Sequence, residues 1–62
     1  MQIVKKKIET IMFLVVADKS GREWNFISNE NEVTIAKKDS DDFFKLSQEQ
    51  QEELANFVSK EF

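Results

Sequence analysis

The sequence predicts an α+β fold: a three-stranded antiparallel β-meander with a long first strand, and one C-terminal α-helix packed on one face. Three observations carry that expectation. Met12, Leu14, Val16, Trp24, Phe26, Val33 and Ile35 recur with the period of two that strands require. Turn chemistry interrupts this region twice, in ADKSGREW and SNENEV. The period then changes, and LSQEQQEELANFVSKEF shows the 3-4 spacing of an amphipathic helix.

The N-terminal QIVKKKIE has no turn residue between it and the next apolar run. It is expected to continue or bend into the first hairpin strand. A first strand that overhangs its partner leaves backbone groups free to pair elsewhere. The hairpin itself joins Thr10–Ala17 to Arg22–Ser28. Asp18 and Gly21 bracket its turn, and glycine tolerates the left-handed conformation that closes a type I turn with a bulge. In that register Asp18 faces Arg22, Val16 faces Trp24, Leu14 faces Phe26 and Met12 faces Ser28.

A two-residue loop at Glu30–Asn31 closes the second hairpin, since asparagine accepts positive φ better than most residues. It pairs Ser28 with Val33, Phe26 with Ile35 and Trp24 with Lys37. Both registers place the same residues on one face. In the C-terminal third, Ser47 followed by Gln50 is a capping-box pattern. Glu49, Glu52 and Glu53 lie near the positive end of the helix dipole and Lys60 near its negative end. Leu54, Phe57, Val58 and Phe62 form the apolar stripe. Before it, KDSDDFFKL fits a short helical turn capped by Asp39 or Ser40, with Phe43, Phe44 and Leu46 tucked inward.

The 62 residues make one small domain, near the lower limit for independent folding. A core of this size rarely supplies more than about 3–5 kcal/mol without a staple. The chain has no Cys and no His, which excludes disulfides and the commonest zinc sites. Oligomerisation is the staple left, unless packing alone suffices. The lack of Cys fits a reducing compartment. The longest apolar run, Ile11–Ala17, is too short to span a membrane, so a cytoplasmic protein is expected.

The stretch TIMFLVVA, residues 10–17, is apolar at nearly every position, whereas a half-buried strand alternates. One helix can cover only one face of the sheet, and the Trp24/Phe26 face carries the larger side chains. The other face then exposes Ile11, Phe13, Val15 and Ile27. Leaving such residues in water forfeits about 1.5–3 kcal/mol for each that full burial would shelter. A cluster of this kind marks a protein interface, most simply a homodimer related by a twofold axis. Two other arrangements account for it: the N-terminal segment or Phe43–Phe44 folding over that face, or plain exposure of scattered apolar residues.

The sequence carries no residue pattern for catalysis. Without His or Cys there is no usual general base or thiol nucleophile, and Ser20, Ser28, Ser40, Ser47 and Ser59 have no activating partner type. DSDD at 39–42 lacks the central Gly and twelfth-position Glu of a calcium loop. Neither an enzyme, a cofactor, a metal nor a small-molecule substrate is expected. The function expected is a protein-binding module that regulates or inhibits a larger protein.

Two charged surfaces extend that expectation. Asp39, Asp41, Asp42, Glu49, Glu52 and Glu53 are expected to form an acidic ridge around the helix start. Such a ridge fits the basic groove of a nucleic-acid-handling enzyme, as a viral, phage-type inhibitor would use it, an analogy of size and charge. The alternative function is single-stranded nucleic-acid binding through a strip of Lys5, Lys6, Lys7, Arg22 and Lys37 near Trp24. A net charge of −3 argues against it. Consecutive lysines also protect a sheet edge from aggregation.

Overall fold

Asp18 organises the first hairpin of the computed structural model, which describes residues 1–30 and 32–62. Its Oδ1 accepts hydrogen bonds from the Ser20 backbone N–H at 2.8 Å, the Ser20 hydroxyl at 2.6 Å and the Arg22 N–H at 3.0 Å. The Gly21 N–H donates to the Asp18 carbonyl at 3.0 Å. Gly21 sits at φ 89°, where a side chain would strain the backbone. Strands β2 (Met12–Ala17) and β3 (Glu23–Asn29) leave this turn in the expected register, Val16 facing Trp24 and Leu14 facing Phe26.

Strand β4 (Glu32–Ile35) pairs with β3 through Ser28–Val33 and Phe26–Ile35, also as expected. Glu30 takes φ 58° in the intervening turn; the positive φ expected of Asn31 falls outside the described residues. The Trp24–Lys37 pair does not form, because Lys37 opens a helix, α1 (Lys37–Phe44).

The N-terminus departs most from expectation. Gln2–Lys7 is not an extension of β2 but a separate strand, β1, folded back along its outer edge. The sheet therefore has four antiparallel strands in the order β1-β2-β3-β4, not three. The reversal occurs around Glu9–Ile11 without Gly, Pro, Asn or Asp, which is why turn chemistry did not reveal it. Folding back pairs backbone groups of β2 that would otherwise remain an open edge. The register slips between Ile3 and Lys5, so Val4 is the extra residue of a bulge.

The helical layer holds α1 and α2 (Gln48–Glu61), where one helix was expected. The α2 cap is the one the sequence announced: the Gln50 N–H donates to Ser47 Oγ and the Ser47 N–H to Gln50 Oε1, both at 3.2 Å. Its Leu54 and Val58 are buried against Leu14, Val16, Trp24 and Phe26, with Phe57 and Phe62 packed at the margin. Phe43 of α1 meets Trp24 and Phe26 edge-on, with ring centroids 5.9 and 6.4 Å apart. Phe44 does not tuck inward and is 68% exposed.

Helix α1 has no side-chain N-cap; Ala36 precedes it. Asp39 does different work. It is only 6% exposed, and its Oδ2 accepts the Asn25 backbone N–H at 2.9 Å and the Asn25 side-chain amide at 3.0 Å. The Ala36 N–H donates to the Asn25 carbonyl at 2.8 Å. Where β4 stops, the start of α1 thus completes the hydrogen bonding of β3. Both helices lie on the Trp24/Phe26 side, and among the described residues no layer covers the opposite side of the sheet.

Candidate functional site: the helix-free face of the sheet

Directly opposed residues in an antiparallel ladder share a face, so the registers map the uncovered side. Its central row runs Lys7, Phe13, Ile27, Thr34 across the four strands. The adjacent row holds Lys5, Val15 and Asn25. Phe13 is 41% exposed, while Val15 and Ile27 are half-buried by their neighbours. Three of the residues expected to share an apolar surface, Phe13, Val15 and Ile27, are therefore brought together. Ile11 lies half-buried in the bend before β2, beside the sheet rather than in its ladder.

Neither of the intramolecular covers forms. The N-terminal segment lies beside β2, and Phe43 packs on the other face. Lys5 and Lys7 join the site because β1 is a strand of its own, something the unbroken reading of the N-terminus concealed. The lysine run does mark an edge strand, the one signal that was available.

The expected acidic ridge does not hold together. Asp39 is buried in the seam between α1 and β3 and cannot belong to it. Asp42 is paired with Arg22 at 2.9 Å and Glu53 with Lys19 at 3.5 Å, and Glu52 accepts a hydrogen bond from Gln48. Asp41 and Glu49 are exposed. Asp39 leaves the solvent side because its carboxylate accepts both the Asn25 backbone N–H and the Asn25 side-chain amide.

The basic strip separates as well. Lys6 faces the helical side opposite Leu14 and lies 3.7 Å from Glu61, whereas Lys5 and Lys7 face away. Arg22 stacks 4.2 Å over the Trp24 ring and is anchored by Asp39 at 3.6 Å and Asp42. Lys37 begins α1. Trp24 is 1% exposed, and its indole N–H donates to Asp18 Oδ2 at 2.9 Å. It is core, not a stacking platform.

These polar groups are fixed electrostatically. Burial alone would raise the Asp39 carboxyl, but hydrogen bonds from the Asn25 side chain and backbone, with the charges of Lys38 and Arg22, outweigh it. The net effect holds Asp39 below the usual carboxylate range. Asp18 is likewise held low: the burial that raises it is outweighed by hydrogen bonds from Ser20, Trp24 and Arg22. Among the described residues, no group of three or more acidic side chains is placed to hold a metal ion, and no helix is long and apolar enough to cross a membrane. No protein-family model, curated protein or solved structure matches the chain.

Proposed function

We propose that the protein is a non-enzymatic binding module that forms a homodimer through the helix-free face and regulates or inhibits a larger protein. The carrying observation is Phe13, 41% exposed on that face beside Ile27 across the strands and Val15 along β2. Covering such a cluster gains about 25 cal/mol for each Å² of apolar surface removed from water. A twofold axis makes the same surface available twice. The helix layer then points outward in both copies, and its exposed Asp41, Glu49 and Glu52 suit a basic surface on the larger partner, such as a nucleic-acid-handling enzyme.

Sedimentation equilibrium tests this directly. The unchanged protein is expected to be a dimer at micromolar concentration, and Phe13→Asp a folded monomer, because association would strip water from a carboxylate that the isolated protomer leaves solvated beside Lys7. A strict monomer with native circular dichroism sinks the proposal. One observation favours a second reading: Lys5 and Lys7 stand beside Phe13 and Val15 on the open side, a small platform for single-stranded nucleic acid. Anisotropy of labelled single-stranded DNA and RNA at low salt separates the two. Binding abolished by Phe13→Asp and by loss of both lysines would move the face from self-association to nucleic acid.

A further inference from the structure

Taking the helix-free face as a self-association surface, on which this step rests, we infer that the dimer axis runs along the strands, between β2 and β3. Strand β1 of one protomer then lies over β4 of its partner. The claim follows from where the face carries its charge. One edge, β1, presents Lys5 and Lys7. The other edge, β4, presents Thr34, opposite Ile27, and Glu32, opposite Asn29.

Two sheets packed face to face and aligned are related by a twofold axis lying in the plane between them. Two directions keep the strands aligned. An axis across the strands returns each strand onto its own copy, and sets Lys5 and Lys7 over the partner's Lys5 and the partner's Lys7. Four ammonium groups then share one rim, and like charges in juxtaposition oppose association.

An axis along the strands exchanges the edges instead. Phe13 falls over the partner's Ile27, and Ile27 over the partner's Phe13. Lys7 falls over the partner's Thr34, one row from the partner's Glu32. Stacked sheets are about 10 Å apart, a gap that a lysine and a glutamate side chain bridge between them. Lys7 already has Glu9 at 3.4 Å, with both side chains more than half exposed, so the partner's Glu32 joins an open pair rather than replacing a buried one. Lys5 forms no ion pair among the described residues.

The size of the face makes charge decisive. Four strands about 4.8 Å apart and six residues at about 3.4 Å each give a projected area of roughly 400 Å² per copy. That is about half of the roughly 800 Å² per partner that a standard specific interface buries, the size of a weak, transient contact. Apolar contact of this extent holds two copies weakly and in either orientation; the charged rim selects between them.

Charge reversal reads the orientation. By sedimentation equilibrium at low ionic strength, Lys7→Glu and Glu32→Lys are each expected to weaken the dimer about tenfold, since each turns two symmetry-related attractions into repulsions. Both residues are exposed, so folding is not at stake. The double variant Lys7→Glu/Glu32→Lys is expected to return close to the original affinity. Dimers untouched by either single change, or a double variant as weak as the singles, overturn the axis while leaving self-association standing. A monomeric unchanged protein removes self-association itself, and the axis with it.

Discussion

Along β2, Leu14 and Val16 are shut beneath the helices at 1% and 0% exposure, whereas Phe13, one residue away, is 41% exposed on the other side. On β3, Trp24 and Phe26 are likewise buried while Ile27 is only half-covered. The same two strands therefore serve two environments. On the covered face, Leu14, Val16, Trp24 and Phe26 meet two helices and an edge-to-face aromatic cluster, while Val33 at the β4 edge stays 43% exposed. On the open face they meet one another, the lysines of β1, Asn25 and Thr34, with no helix over them among the described residues. The lesson is that a strand apolar on both sides reports two surfaces to be covered, and a short chain supplies cover for one.

The largest effect separating the faces is expected at Trp24. Its ring is buried, its N–H is bonded to Asp18 and Arg22 lies across it. Trp24→Ala removes all three together, at a cost of about 3–5 kcal/mol. That matches the whole stability available to a core of this size, about 3–5 kcal/mol. The variant is expected to be unfolded by circular dichroism at 25 °C. A cooperative native transition in Trp24→Ala would mean that the core is organised elsewhere.

How far this contrast was legible in the sequence differs by element. The Asp18–Gly21 turn and the Ser47–Gln50 cap are local devices, in which a few adjacent side chains decide the backbone, and both appear where the residues place them. The apolar period through β2 and β3 fixes which side chains share a face, and the register sets Phe13, Val15 and Ile27 on one side of the sheet. Strand β1 was not legible, because its reversal uses ordinary residues and is decided by the unpaired edge of β2, a tertiary matter. Nor was the seam at Asp39. An acidic residue in the first turn of a helix ordinarily faces solvent, and nothing local shows that Asn25, distant in sequence, needs a partner where β4 ends.

That seam sets the next effect in size and tests what holds the covered face closed at its edge. Asp39→Asn keeps the shape but turns an amide toward Arg22 or Asn25, so one partner is lost; a cost of about 1–3 kcal/mol follows. The acid limb carries the same information. A carboxyl held low in the folded state stays ionised there while its unfolded counterpart, at the ordinary 3.8, takes up a proton. Its contribution is therefore complete above that value and is lost as pH falls below it through the folded-state value. Urea midpoints measured from pH 7 to pH 2.5 should fall less steeply for Asp39→Asn than for the unchanged protein, with Asp18, also held low, contributing to the slope that remains. Equal slopes would show that Asp39 is not held low.

The smallest effect is expected on the open face, where smallness is the point. In dilute solution, where any dimer has dissociated, Phe13→Ser removes a side chain that water already reaches. The loss in urea unfolding should be about 0.5–1 kcal/mol, near the range of ordinary surface changes. Raising the protein concentration then separates the two proteins. Association stabilises only the folded form that can associate, so the unchanged chain should gain stability with concentration while Phe13→Ser stays level. If Phe13→Ser in dilute solution cost as much as Trp24→Ala, the residue would be core and the two faces would not differ in kind. If instead neither protein responded to concentration, Phe13 would stand exposed in the protein alone, and any cover for it would come from a different molecule.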